Sequence, residues 1–264
     1  MSSPSSRLHV VDALRGFAIV SIMLLHNLEH FDFYFTPENL PTWMPALDKV
    51  IWDTLFFLFS GKSYAIFALL FGLTFYIQSD NQQRQGKDFR ARFAWRLILL
   101  LGFGIVNSAF YQGDILTTYA LIGFALIPVV HLSSRAILII ASVLMFQPYE
   151  WYNVVNGLQN LQINMADPVS WSYFGKMGEY ITGNSVVDTL VGNLTNGRTA
   201  VMHWTWESGR VFQTASLFMF GLLAGRRSLF ASTSENREFW SKILVGSVLL
   251  FIPLFYLRSG IENG

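Results

Sequence analysis

Long apolar runs alternate with short polar segments along the whole chain. About 20 apolar residues form a helix long enough to cross the roughly 30 Å hydrocarbon core of a membrane. Seven runs come close to this length, so we predict an all-α integral membrane protein, a bundle of about seven transmembrane helices in a single domain over residues 1–264. The predicted spans are residues 10–28, 52–78, 94–110, 114–131, 134–150, 208–225 and 240–258.

Two segments depart from a simple pattern of spans and turns. The run 52–78 is too long for one straight span and is interrupted by polar residues at 60–63. We therefore predict a shorter arm at 50–60, which dips into the membrane or lies at its surface, before the true span. Residues 151–207 are too long for a turn and rich in Trp, Asn and Gly, which predicts interfacial helices over the outer mouth of the bundle.

Basic residues divide unequally between the two sides that alternating spans create. Cytoplasmic segments of membrane proteins carry the excess of Lys and Arg. A cytoplasmic N-terminus places eleven basic residues inside and five outside, and seven spans then place the C-terminus outside. The inner set is Arg7, Arg84, Lys87, Arg90, Arg92, Arg96, Arg135, Arg226, Arg227, Arg237 and Lys242, and the outer set is Lys49, Lys176, Arg198, Arg210 and Arg258.

Composition supports the membrane assignment and excludes other classes. The chain is 52% hydrophobic and 13% charged, whereas a soluble domain carries about 25% charged residues. A net charge of +1 and aromatics confined to apolar runs argue against nucleic-acid binding. The absence of Cys excludes disulfides and thiolate chemistry.

We expect membrane lipids as partners and no bound cofactor. The first helix lacks a cleavage site and should remain as an anchor.

Two ionisable residues share one face of the first predicted helix. Arg15 and His26 are eleven residues apart, which places them within roughly 20° of the same face and about 16 Å apart along the axis. Ionisable groups inside a membrane helix mark functional sites by default. For Arg15 we favour a structural explanation, since Asp12 at i−3 can neutralise it. His26 can exchange a proton near neutral pH, which suits a general base or a transient acyl acceptor.

The segment HNLEH at 26–30 matches the H-x-x-E-H pattern of inverted zinc peptidases. No third ligand at a matching spacing is present, so we predict no metal site and assign Glu29 and His30 to a water-filled outer vestibule.

Lys62 follows Gly61 at the predicted helix break but lacks the upstream Gly of a phosphate loop. Its side chain either faces the bundle or snorkels to the outer surface, and the sequence leaves both open.

Two further positions receive structural predictions. Asp114 lies at the start of a predicted helix, where a carboxylate can accept hydrogen bonds from free backbone N–H groups. Gly221 and Gly225 form a small-xxx-small pair in the run 208–225. Such pairs allow the backbones of two helices to approach closely, so we expect a helix contact here rather than a ligand site.

Four segments together resemble a known family. VDALRGFAIVSIMLLHN, FSGKSYAIFALLFG, RFAWRLILLLGFGIVNSAFYQGDILTTYALIGF and FQTASLFMFGLLAGRR are similar to the YeiB-like bacterial membrane family, domain of unknown function 418, over nearly the whole chain. That family resembles transmembrane acyltransferases such as the acyltransferase family three proteins and the lysosomal heparan glucosaminide N-acetyltransferase. Their shared signature in the first helix is an Arg, ten residues and a His, which Arg15 and His26 match.

The resemblance implies an enzyme of the bacterial inner membrane. Acyl-CoA would enter from the cytoplasm as co-substrate, and His26 would help transfer the acyl group to a sugar, glycan or lipid acceptor at the outer face. Arg15, with Asp12 and Lys62, would bind the donor or position the first helix. The resemblance also implies further C-terminal helices beyond those in this chain, and Asn often replaces His26 in the family.

A second function uses the same polar stripe. In a transporter or lipid-handling protein, the stripe of Arg15 and His26 would line a gated pathway. The predicted helix break at Gly61 suits this alternative. Binding of acyl-CoA from the cytoplasmic side would distinguish the enzyme from the transporter.

Overall fold

The computed structural model describes residues 9–34, 40–159 and 168–262, and the regular structure in these ranges is helical. A π-helix, Asn193–Gly197, joins α11 to α12. The predicted all-α class is therefore confirmed. The α-helices are α1 His9–Tyr34, α2 Met44–Phe59, α3 Lys62–Gln83, α4 Arg90–Phe110, α5 Leu116–Gly123, α6 Leu126–Val129, α7 Ser134–Met145, α8 Pro148–Gln159, α9 Val169–Phe174, α10 Met177–Ile181, α11 Val186–Gly192, α12 Arg198–Glu207, α13 Arg210–Arg226 and α14 Ser234–Glu262.

Four segments of the described chain are long and apolar enough to cross a membrane, which fits an all-α membrane protein. The expected number of seven is wrong by this measure. The runs 114–131, 134–150 and 208–225 form helices of at most 17 residues. The four segments are His9–His30, Met44–Gln83, Arg90–Phe110 and Ser234–Leu257.

Local signals end the shorter helices. Ser133 caps α7 by accepting a hydrogen bond from the Ala136 N–H at 3.2 Å, and Gln147, with φ of 49°, follows its last turn. The resulting 12 residues extend only about 18 Å at 1.5 Å per residue. α13 begins after Gly209, whose φ of 65° lies in the left-handed region that favours glycine. Hydropathy alone does not reveal these ends.

The interruption of the second run is confirmed. α2 ends at Phe59 and α3 begins at Lys62. Gly61 between them has φ of 73°, which an L side chain rarely adopts. No residue of α2, which is described along its whole length, is buried. Its Phe57 ring contacts Phe251 on α14, with centroids 6.0 Å apart.

The centre of the fold is α13, which packs on α3 and α7. Tyr64 contacts Thr214 near the start of both helices, and Tyr76 contacts Gly225 near the end, so α3 and α13 run parallel. A Cβ added at Gly221 would lie 1.9 Å from the Leu69 carbonyl oxygen, and one at Gly225 would lie 2.3 Å from the Tyr76 ring. The predicted close helix contact at this glycine pair is confirmed.

α4 and α1 flank α3, and both run antiparallel to it. Arg92 and Arg96 on α4 contact Gln82 and Gln78 on α3, and His26 in the second half of α1 contacts Tyr111 just after α4. Phe93 on α4 packs against Phe75 on α3 with ring centroids 4.4 Å apart. Buried Val11 on α1 packs against Leu70 and Leu73 on the same helix. Side chains of all three helices line a cavity between them.

The segment before α13 forms short helices, as expected, and some of them pack against α4 near its C-terminal end. The Asn193 side chain donates to the Ala109 carbonyl at 3.1 Å, and Asn196 donates to the Tyr173 carbonyl at 2.8 Å. Gly192 lets the Tyr180 ring approach within 2.4 Å of where a Cβ would be. Residues 160–167 of the expected cover lie outside the described residues.

α14 is the most exposed of the long helices. Within its described stretch Ser234–Leu257, no residue of the apolar window is buried. Trp240 anchors its first part by donating from the indole Nε1 to the Leu229 carbonyl at 2.8 Å. An apolar surface of this length fits contact with lipid.

Candidate functional site

Arg15, near the start of α1, links this helix to the middle of α3. Its Nη2 donates to the Thr74 hydroxyl at 2.5 Å, and its Nη1 lies 3.3 Å from a carboxylate oxygen of Asp12. The Thr74 hydroxyl in turn donates to the Leu70 carbonyl at 2.7 Å. The ion pair expected between Asp12 and Arg15 is thus present, and about a third of each side chain remains exposed.

A cavity of about 290 Å³ lies beside Arg15, between α1, α3 and α4. This volume falls near the lower limit of small-molecule sites, which occupy about 300–1,000 Å³. Arg96 lines the cavity and donates to the side-chain oxygen of Gln78. The polar lining residues are Arg15, Thr74, Gln78 and Arg96, and the apolar ones are Phe67, Leu70, Phe71, Phe75, Phe93, Leu97 and Leu100.

His26 belongs to a second cluster, at the other end of the bundle. Its Nδ1 lies 2.5 Å from the Tyr111 hydroxyl and 3.1 Å from a carboxylate oxygen of Glu29. The His26 and Tyr111 rings are 4.8 Å apart. The side chains of His26 and Glu29 are 38% and 34% exposed. Tyr111 follows the last residue of α4, so the cluster joins α1 to the end of α4.

The two contacts on Nδ1 determine which ring nitrogen of His26 can accept a proton. If Nδ1 carries the proton and donates to Glu29, the lone pair is on Nε2. Nε2 has no hydrogen-bond partner among the described residues. An oriented imidazole with a free Nε2 is the geometry of a general base, because a carboxylate fixes the tautomer on the opposite nitrogen.

The residues proposed from the sequence do not form one cavity. Arg15 lines the space between α1, α3 and α4, but neither His26 nor Lys62 does. The Lys62 ammonium donates to the Phe57 carbonyl and lies 5.2 Å from the centre of the Phe57 ring. Through this contact, Lys62 caps a backbone carbonyl in the last turn of α2. Glu29, expected in an outer vestibule, is partly exposed and contacts His26.

Asp114 occupies the expected capping position. Its carboxylate accepts the backbone N–H groups of Leu116 at 3.2 Å and Thr117 at 3.0 Å, and the side-chain amide of Asn107 at 2.9 Å. These hydrogen bonds confirm the predicted cap. Asp114 is almost fully buried, and its oxygens are used to hold α5 against α4.

At the Arg15 end of the bundle, the basic side chains differ in whether a carboxylate neutralises them. Hydrogen bonds from the side chain and backbone of Arg90 lower the pKa of Asp88 to about 2, so this carboxylate stays ionised beside its guanidinium. Asp80 is paired with Arg84 at 2.9 Å. Arg96 has no ion pair among the described residues.

Four residues of these clusters were missed by sequence reasoning: Thr74, Gln78, Arg96 and Tyr111. Arg96 carried a usable signal, since it lies inside an apolar run and was counted only as a cytoplasmic charge. Tyr111 carried none, because its contact with His26 joins residues 85 positions apart.

Part of the chain is similar to two curated proteins. It is 36% identical over 132 residues to a protein of Bacillus subtilis (strain 168) described as "Uncharacterized protein YxaH", covering 47% of this chain and 32% of that protein. It is 32% identical over 125 residues to an "Uncharacterized 39.9 kDa protein in amylase 3'region" of Bacillus acidopullulyticus, covering 46% and 34%. The matched region thus spans about a third of each relative's length. No protein-family model matches the chain, and no solved structure matches it.

Proposed function

We propose that this protein is a YeiB-like acyltransferase of the bacterial inner membrane. The observation that carries the proposal is the arrangement on α1. Near its start, Arg15 borders a largely apolar cavity, and eleven residues later His26 is oriented by Glu29. One helix therefore joins a cavity with a cation at its edge to a candidate base about 16 Å away.

The proposed reaction moves an acyl group from a cytoplasmic donor such as acyl-CoA to a hydroxyl acceptor at the outer face. Nε2 of His26 takes the proton of the acceptor hydroxyl as its oxygen attacks the thioester carbonyl carbon. The carbon–sulfur bond breaks, and the imidazolium returns the proton to the departing thiolate. Glu29 stabilises the imidazolium, and Tyr111 holds the ring by its hydroxyl.

Arg15, Asp12 and Lys62 have supporting roles in this proposal. Arg15 holds α1 to α3 through Thr74 and so positions the helix that carries His26. Asp12 lowers the net charge there by its ion pair with Arg15. Lys62 acts at the end of α2, where it positions the helix break rather than the donor.

The test measures release of CoA thiol from acyl-CoA by purified protein in liposomes, with sugar acceptors outside. Because the chain has no Cys, the thiol signal arises from CoA alone. His26→Asn should lower the rate by about 10²- to 10⁴-fold. His203→Asn is the matched control, since His203 lies on α12 and stacks on Tyr173. Full activity of a well-folded His26→Asn would exclude His26 from the mechanism.

A transporter or lipid-handling protein is the second candidate. The observation that favours it is that the cavity beside Arg15 is separate from the His26 cluster. A substrate at Arg15 need not reach the base, so the cavity suits storage or passage of a ligand. Binding of a lipid without any acyl transfer would support this candidate.

A further inference from the structure

The cavity beside Arg15 is polar at one end and apolar at the other. Thr74 and Gln78 lie towards the end of α3 that faces Arg96. Phe67 lies eleven residues before Gln78 on the same helix, about 16 Å away along the axis. Towards Phe67 the lining is Phe67, Phe71, Leu97 and Leu100.

The polar end carries uncompensated positive charge. Arg15 shares Asp12, but Arg96 bonds the neutral amide oxygen of Gln78 and has no ion pair among the described residues. A guanidinium that lines a largely apolar cavity and has no carboxylate partner favours an anion. Two guanidinium groups with planar donor sets match the oxygens of a phosphate.

The apolar end restricts what can be attached to that anion. Its four side chains offer no hydrogen bond. The pantetheine arm of a CoA thioester contains two amides, which would remain unpaired there at a cost in binding free energy. Hydrocarbon joined directly to the phosphate-bearing group has no such cost. At about 290 Å³, the cavity lies at the small end of known sites, so it suits one chain.

We propose that this cavity binds a single-chain lipid phosphate, with the phosphate between Arg15 and Arg96 and the chain directed towards Phe67 and Leu100. The inference goes beyond acyl transfer and does not rest on it. The ligand at Arg15 is a membrane amphiphile, and α1 connects its site to the His26 cluster.

The first experiment measures binding to the purified full chain in a maltoside detergent by native mass spectrometry. The probes are oleoyl lysophosphatidic acid, glycerol 3-phosphate, monooleoylglycerol and octanoyl-CoA. We expect the lysophosphatidic acid to bind at least tenfold more tightly than each of the others. Tighter binding of octanoyl-CoA, or equal binding of glycerol 3-phosphate, would overturn the lipid assignment in favour of a thioester or a free phosphate.

Variants locate the phosphate. Arg96→Gln should weaken binding of lysophosphatidic acid by about 10- to 100-fold, the effect of losing a hydrogen bond to a charged group. Arg92→Gln is the matched control, because Arg92 lies four residues away on α4, also contacts a glutamine side chain, and does not line the cavity. Gln78→Glu should weaken binding as well, by placing a carboxylate beside Arg96. Equal effects of Arg92→Gln and Arg96→Gln would refute the site.

A third pair of variants locates the chain. Leu100→Trp should fill the apolar end and weaken binding of the oleoyl lipid more than that of a hexanoyl analogue. Leu99→Trp is the control, since Leu99 is exposed and does not line the cavity. Each variant is first compared with the parent by thermal melting without lipid. If Leu100→Trp affects both chain lengths equally while melting normally, the chain does not extend towards Leu100.

Discussion

The contact between α13 and α3 allows a quantitative prediction about packing. A Cβ built on Gly221 would lie 1.9 Å from the Leu69 carbonyl oxygen and 2.8 Å from the Leu73 backbone nitrogen. Ordinary contacts between carbon atoms are about 3.5–4.0 Å long. Because both neighbours are backbone atoms, no side-chain rotation relieves the clash, and the helices must separate by more than about 1 Å. Overpacking of a core typically costs about 1–3 kcal/mol.

Separation of these helices would also disturb buried neighbours. Phe218 on α13 is fully buried and stacks on Phe71 with centroids 4.4 Å apart. We therefore expect Gly221→Ala to lower the free energy of unfolding by an amount at the upper end of that range, about 2–3 kcal/mol. For a chain of this size, this corresponds to a lowering of Tm by about 4–10 °C. The assay is thermal melting of the detergent-solubilised protein, followed by fluorescence-detected size exclusion.

Two other glycines serve as graded controls. A Cβ at Gly225 would meet the Tyr76 ring at 2.3 Å, and this side chain is partly exposed and can rotate. Gly225→Ala should therefore cost less than Gly221→Ala. Gly102 has nothing within 4 Å, so Gly102→Ala should raise helix stability by up to about 1 kcal/mol. If the melting temperature of the Gly221→Ala variant equals or exceeds that of the Gly102→Ala variant, the close backbone contact does not exist.

Two further predictions concern single hydrogen-bonding groups. Asp114→Ala should lower stability by about 1–2 kcal/mol, because it removes the cap of α5 and the hydrogen bond from the Asn107 side-chain amide; thermal melting measures this, and Asp53→Ala, at an exposed position, is the control. Lys62→Met should speed hydrogen exchange near the end of α2, where the Phe57 carbonyl loses its ammonium partner; unchanged exchange would show that Lys62 does not hold this end.

Apolar patterning predicted the long helices well, because their apolar lengths are set by the membrane. α1, α4 and the break at Gly61 are close to the expected positions. It overestimated the spans at 114–131 and 134–150 for a physical reason. The short helices in these runs contribute buried apolar residues such as Leu126 and Ile137 to the core, and a buried helix is as apolar as a spanning one. Caps such as Ser133, not hydropathy, decide where they end.

The candidate site was predictable only within one helix. Helical periodicity placed Arg15 and His26 on one face, but their partners come from distant parts of the chain. Thr74 is 59 residues from Arg15, and Tyr111 is 85 residues from His26. The packing of α3 and α4 sets these pairs, and no local pattern encodes it. For this reason the sequence suggested one polar stripe on α1, whereas the contacts form two separate clusters.

The direction of the packed helices gives a topology that does not depend on counting spans. α1 and α4 run antiparallel to α3, and α13 runs parallel to it. The end of α3 and the end of α13 therefore lie on the same side as the start of α1. If α14 crosses the membrane, as its length and apolarity allow, its end lies on the opposite side.

Single cysteines can test this arrangement directly, because the chain has none of its own. We expect Gln85→Cys and Ser232→Cys, in the loops after α3 and α13, to react with a membrane-impermeant maleimide only in inverted membrane vesicles, since the positive-inside rule places both loops in the cytoplasm. Gly260→Cys, near the end of α14, should react only in intact spheroplasts. Labelling of Ser232→Cys and Gly260→Cys from the same side would show that α14 does not cross. Labelling of Gln85→Cys and Ser232→Cys from opposite sides would contradict the parallel packing of α3 and α13.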